Sequence, residues 1–144
     1  MRTEFLAYLQ THVGGNIRGN AQGLSNWLDG KLISVSDAGE MVLEFEVRPD
    51  MINPYGTTHG GAIAAIMDEV MGMLLYLHGE DNEAFLAINL TTDFIKSSQV
   101  GAILTARPQI IKKGRKTATA NCQLFNHKNE LIAQASSNYM RVDM

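Results

Sequence analysis

Asn53-Pro-Tyr-Gly-Thr-Thr-His59-Gly-Gly-Ala-Ile-Ala-Ala-Ile-Met-Asp68 is the stretch on which the reading of this chain turns. Its first half is loop: Pro54 offers no N–H, and Asn53 and Gly56 are turn formers. From Gly60 an apolar run continues to Leu77, and Gly79 is suited to ending it, which predicts a long helix over residues 60–78. Nearly every face of that helix is apolar, so it must be buried nearly all round. Asp68 and Glu69 sit at its middle, where lipid would charge several kcal/mol for each, so the run reads as a core helix and not a membrane span.

Two features of this helix carry chemistry. Gly60 and Gly61 lie where the first N–H groups of a helix are unpaired donors at its positive end. A bare Gly-Gly serves equally for close packing or a turn; as chemistry it would polarise a developing oxyanion. Asp68, deep in an apolar helix, needs a partner, a raised pKa or a pocket holding water, the conditions that make a carboxylate a base or nucleophile near neutral pH. With Glu69 beside it, a solvated face or a salt-bridged pair is the bland alternative. Eight helical residues put about 12 Å between Gly60 and Asp68, too far for both to reach one carbonyl. Only two antiparallel copies bring Gly60 of one chain beside Asp68 of another, so a working site of this kind calls for a homodimer.

Working outward, Phe5, Leu6, Leu9 and Val13 recur at helical spacing before Gly14-Gly15, predicting a short N-terminal helix within a helical segment spanning residues 1–25. Met41, Leu43, Phe45 and Val47 alternate with Glu40, Glu44, Glu46 and Arg48, Val42 being the exception, as in a half-buried strand. Residues 27–36 should pair with it through the Ser36-Asp-Ala-Gly39 turn. After the helix come four more alternating stretches, running through Leu86–Phe94, Ala102–Ala106, Ala118–Leu124 and Leu131–Tyr139, with Pro108 marking an edge position or bulge. The fold class is α+β: one long helix against an antiparallel sheet of about five to six strands, curled because a flat sheet covers one side only. One domain over residues 1–144 is expected.

Composition bounds the function. With 45% hydrophobic and 19% charged residues the chain is ordinary globular protein. A net charge of −3 gives no attraction to a polyanion, arguing against nucleic acid. The single cysteine, Cys122, excludes an internal disulfide. Glu4 and Gln10 interrupt what an export signal would need, so a cytoplasmic protein with no membrane partner is expected. No metal motif is present, and His12, His78 and His127 lack partners at ligand spacing.

The pattern Asn53-x-x-Gly56-x-x-His59-Gly60-Gly61 followed by Asp68 resembles the signature of the phenylacetate-degradation (PaaI-type) branch of the hot-dog thioesterases, in the 4-hydroxybenzoyl-CoA thioesterase superfamily. Asn89-Leu-Thr-Thr-Asp-Phe-Ile95, Gly101 and Lys112-Lys-Gly-Arg115 extend the similarity over roughly Leu43 to Tyr139. The resemblance implies a hot-dog fold and hydrolysis of an acyl-CoA thioester, with coenzyme A as part of the substrate and no separate cofactor. It implies Asp68 as general base or nucleophile, the Gly60 N–H as oxyanion hole, and Asn53 and His59 as positioning groups. For the last two, turn chemistry and helix capping are the alternatives. Gly61, Ala87, Asn89, Lys113 and Arg115 are the implied substrate contacts, the basic pair facing coenzyme A phosphates unless that hairpin is merely a solvated turn. At Ala87 the family often carries a Ser or Thr that binds the nucleophilic water, a departure here. A dimer with composite sites is implied, and a tetramer is common in the family. The rival readings are a hot-dog hydratase or dehydratase of acyl thioesters, and a non-catalytic acyl-CoA-binding protein.

Overall fold

A computed structural model describes residues 1–17 and 23–144. Helix α1 (Thr3–Thr11) is followed by a short α2 (Leu24–Leu28), then by strands β1 (Lys31–Val35) and β2 (Met41–Glu46). A single 3₁₀ turn (Pro49–Met51) leads to α3 (Gly60–His78). Five strands complete the chain: β3 (Glu83–Ala87), β4 (Thr91–Phe94), β5 (Ile103–Lys113), β6 (Thr117–Phe125) and β7 (Leu131–Asp143).

The strands form one antiparallel sheet in the order β1-β2-β5-β6-β7-β3, with β4 also on β7. Because β3 and β4 lie end to end along the same edge of β7, seven strands occupy six positions. The break between them is a one-residue excess, Ala87 pairing Tyr139 while Thr91 pairs Ser136. Asn89 fills it: its Oδ1 accepts from the Asn138 N–H (3.0 Å), as a backbone carbonyl would.

The sheet curls round α3. Nine side chains of the helix, Ala62 to Leu77, are buried, so a segment long and apolar enough to cross a membrane is here the core of a half-barrel. Facing it are Leu43 and Phe45 of β2, Leu104 and Ala106 of β5, Ala118, Ala120, Cys122 and Leu124 of β6, and Ala133, Ala135, Ser137 and Tyr139 of β7. Small side chains dominate β6 and β7, which lets the sheet close on the helix. Left uncovered is a stripe through Ala65, Asp68, Glu69 and Gly72, which are partly buried, and Tyr76, which is exposed.

Pro108 is accommodated because β2 pairs β5 only as far as Ala106, so at Pro108 the outer side of β5 has no strand awaiting an N–H. The Ser36–Gly39 turn closes the β1–β2 hairpin as expected, with Gly39 at φ +81° and its N–H on Ser36 O (2.8 Å). Two N-terminal expectations need correction. Residues 27 and 28 belong to α2, so the first strand begins only at Lys31. The segment 1–25 is helical over Thr3–Thr11 and from Leu24 onward, while residues 18–22 lie outside the described residues.

α1 docks on the far end of α3 through Arg2. Its guanidinium lies over the Tyr76 ring (3.7 Å to the centroid) and donates to Tyr76 O (2.6 Å), Glu80 O and Glu83 O (both 2.7 Å). Carbonyls at a helix C-terminus lack intrahelical donors, and a cation supplies them while complementing the dipole.

Candidate active site

The loop entering α3 is tied by its own polar groups. Asn53 Oδ1 accepts from the N–H groups of Tyr55 (3.0 Å) and Thr57 (3.2 Å), and its Nδ2 donates to Thr57 Oγ1 (2.8 Å). Thr58 Oγ1 and Ser98 Oγ share a hydrogen bond (2.7 Å), fixing the loop to the β4–β5 connection. Asn53 is therefore the hub of a turn.

His59 caps the helix. Its Nδ1 accepts from the Gly61 N–H (2.8 Å), so in the neutral ring the proton sits on Nε2; the residue is exposed. The Ala62 and Ile63 N–H groups return to His59 O. One donor of this first turn is left over: the Gly60 N–H has no hydrogen-bond partner among the described residues. Of the two glycines, then, Gly61 has its donor consumed and Gly60 keeps its own at the positive end of the dipole. A Cβ on Gly60 would come within 3.1 Å of the Phe94 ring, which walls this donor on one side.

Asp68 lines an open cavity of about 410 Å³ with Gly72, Met73, Phe85, Ala87 and Tyr139. Its carboxylate makes no hydrogen bond or ion pair among the described residues, and burial holds its pKa above the ordinary carboxylate value of 3.8. Glu69 lines the same cavity. Gly60 does not, in keeping with the 12 Å or so that eight residues of helix impose. Ala87 presents only a methyl group here, opposite Tyr139 in the β3–β7 pairing. Asn89, three residues from the cavity's Leu86, spends its amide oxygen on Asn138.

Lys113 is engaged elsewhere. Its ammonium pairs with Glu83 (3.0 Å) and donates to His78 O (2.8 Å), bridging the β5–β6 hairpin to the end of α3. Arg141 holds the other Glu83 oxygen (3.1 Å), and together these contacts hold the Glu83 carboxyl below its ordinary range, a hydrogen bond from the Glu80 N–H (3.1 Å) being the largest cause. Sequence reasoning missed this cluster because Lys113 and Arg141 lie 30 and 58 residues from Glu83. Lys112, Arg115 and Lys116 remain exposed on the hairpin.

Cys122 is buried and its thiol pushed up to about 12 by that burial, which removes it as a nucleophile at neutral pH. Among the described residues no three His, Cys, Asp or Glu side chains converge to hold a metal ion.

Comparison with known proteins bears on this arrangement. The family model of the thioesterase superfamily matches residues 55–133, more than half of the chain and including both Gly60 and Asp68. Human acyl-coenzyme A thioesterase 13 is 28% identical over 73% of this chain and 76% of its own. The acyl-coenzyme A thioesterase PaaI of Escherichia coli K12 is 26% identical over 67% of each. The solved structure of a phenylacetic acid degradation-related protein from Ralstonia eutropha superposes with a TM-score of 0.76 at 27% identity, covering 85% of this chain and 94% of that one. The family match spans the glycine junction, the central helix and strands β3 to β6, and the chain belongs to the thioesterase superfamily, as a thioester hydrolase with the hot-dog fold.

Proposed function

We propose that this chain hydrolyses an acyl-CoA thioester to the free acid and coenzyme A, at sites each assembled from two copies of the chain. The observation that carries the reading is a pair of unspent groups on one helix: the Gly60 N–H and the Asp68 carboxylate, each without a partner among the described residues and each out of the other's reach. A second, antiparallel α3 brings the partner's Gly60 to Asp68, and two-fold symmetry does so twice. Support comes from what the monomer leaves uncovered, the stripe along α3 and the free edge of β3 and β4, where Leu86, Ile88, Phe94 and Ile95 are exposed. The named relatives act on acyl-coenzyme A.

The chemistry follows from the two groups. Asp68, with its proton affinity raised by burial, takes a proton from water as the water oxygen attacks the thioester carbon. The negative charge that develops on the carbonyl oxygen points at the partner's Gly60 N–H. When the C–S bond breaks, the leaving thiolate recovers a proton from the Asp68 carboxyl, which returns the site to its starting state. His59 holds the Gly61 N–H and so leaves Gly60 as the donor. A hydratase reading would draw on the partner's His59, which arrives with Gly60 and whose Nδ1 already holds the Gly61 N–H; the thiol assay separates the two reactions.

Hydrolysis is tested by following free thiol with a thiol reagent across aryl, short-chain and long-chain acyl-CoAs. Stoichiometric thiol release is expected, from a species that light scattering shows to be a dimer or larger. A change in enoyl absorbance without thiol, or turnover by a monomer, would overturn the reading.

A further inference from the structure

Tyr139 is 2% exposed, and its hydroxyl has no hydrogen-bond partner among the described residues. The reason is in the sheet register. Its cross-strand neighbours are Ala87 on β3 and Ala118 on β6, neither of which offers a polar atom. Ser137, two residues back on the same face, gives its hydroxyl proton to Asn89 O (2.6 Å). A buried phenol left in this state costs roughly 1–3 kcal/mol, and a native fold rarely keeps such a group without a use for it.

The same side chain lines the Asp68 cavity. Of the residues lining that cavity, four titrate: Asp68 and Glu69 on one turn of α3, Tyr76 two turns on, and Tyr139 across from them on β7. Asp68 and Tyr139 are near enough for the carboxylate charge to act on the phenol, though they are not hydrogen-bonded. Burial chiefly pushes the phenol up to about 12, the nearby Ser137 hydroxyl lowering it somewhat and the Asp68 charge adding to the rise, so it stays a donor throughout the working pH range. An acceptor-only carboxylate and a donor phenol across a gap too wide for a direct bond make a seat for one water, which needs at least two polar partners.

We propose that Tyr139 is a positioning residue for hydrolysis: its O–H donates to the attacking water whose proton Asp68 removes. The proposal rests on the reading of Asp68 as the base. The methyl groups of Ala87 and Ala118 serve it by offering the phenol no acceptor of their own across the sheet.

The test is Tyr139→Phe, which removes one oxygen and keeps the ring, assayed beside Asp68→Asn. Expected for Tyr139→Phe are a kcat lower by about ten- to a hundredfold, a KM within about twofold, and an unchanged or raised melting temperature. With hydroxylamine added as a competing nucleophile, the variant should form more hydroxamate relative to acid than the parent, because only water has lost its seat. A structural or acyl-binding role would lower both products alike. An unchanged product ratio, or an unchanged kcat, overturns the proposal for Tyr139. Activity surviving in Asp68→Asn overturns the reading of Asp68 instead, so the two failures are distinct. Should Tyr139→Phe fail to fold, 3-fluorotyrosine at position 139 keeps the shape and makes the phenol more acidic. Activity must then fall at alkaline pH as that phenol ionises, and a profile matching the parent overturns the proposal.

Discussion

Two carboxylates sit along α3 and its exit, and the fold treats them in opposite ways. Glu83, with a side chain 7% exposed, is held by Lys113, by Arg141 and by the Glu80 N–H. Its pKa is lowered, the Glu80 hydrogen bond first among the causes. Asp68, less deeply covered, has no hydrogen-bond or ion-pair partner among the described residues, and desolvation raises its pKa. A carboxylate whose oxygens are all engaged has no proton affinity to offer a substrate and is there for stability. One that the fold has stripped of water and given nothing in return keeps a raised proton affinity at a cost to stability, as the proposed base would.

Asp68→Asn tests the contrast at its strongest. Loss of the base should lower kcat by about 10³-fold while substrate binding persists, measured by thiol release and by calorimetric titration with a substrate analogue. The same change should raise the melting temperature at neutral pH. The sign follows from linkage: the folded pKa lies above the unfolded 3.8, so both states are protonated well below that value and no penalty exists there. The penalty grows as pH rises past 3.8 and is complete above the folded pKa. The stability gain of the variant should therefore vanish in acid. In the parent, the acid limb of the pH–rate profile should fall above 3.8 for the same reason. A variant less stable at pH 7 than the parent would mean that Asp68 has found a partner in the assembled protein.

The far end of α3 should respond in stability and leave turnover per folded molecule intact. Arg2→Ala removes three charged hydrogen bonds to carbonyls and should cost about 3 kcal/mol in chemical denaturation. Glu83→Ala strands Arg141 and loosens Lys113, and should cost about 2 kcal/mol. Here the pH dependence runs the other way. The folded pKa of Glu83 is below its ordinary 4.5, so its contribution is fully present above that value and is lost as pH falls through the folded pKa. Parent and Glu83→Ala stabilities should converge in acid, whereas parent and Asp68→Asn should diverge toward neutral pH.

How much of this was legible in the sequence depends on how local the cause is. The run from Gly60 to His78 is an apolar pattern broken by charge at Asp68 and Glu69, with glycine at its start and just past its end, and it is the observed helix. Strand β2 was legible for the same reason, its alternation being complete within seven residues. Helix α2 is five residues long, less than two turns, so it leaves no period to detect. The division of Leu86–Phe94 into β3 and β4 depends on Asn138, 49 residues from Asn89. That Gly60 and not Gly61 keeps its donor depends on the ring orientation of His59. Tyr139 was legible as a buried position of an alternating strand, but its unpaired hydroxyl follows from Ala87 and Ala118, brought beside it by pairing.

The smallest expected effect lies in the basic hairpin, where the contrast between spent and unspent groups divides neighbouring cations. Lys113 is committed to Glu83 and His78, while Arg115 is exposed with its guanidinium free of any described partner. The hairpin meets α3 at His78, ten residues and about 15 Å beyond Asp68, on the side away from the chain's own Gly60. In the antiparallel pair this is the direction in which the partner's entry loop lies, so a thioester seated at Asp68 would extend its coenzyme A arm that way. Lys113→Met should therefore lower the melting temperature and leave KM unchanged. Arg115→Met should leave the melting temperature unchanged and raise KM for acyl-CoA a few-fold, about 1 kcal/mol, less so as salt is added. With an acyl thioester of N-acetylcysteamine, which lacks the nucleotide and its phosphates, the Arg115→Met effect should disappear. If Lys113→Met raised KM for acyl-CoA and spared the truncated substrate, the Glu83 pair would be one that phosphate can displace, and the division between the structural end of α3 and its catalytic middle would not hold at Lys113.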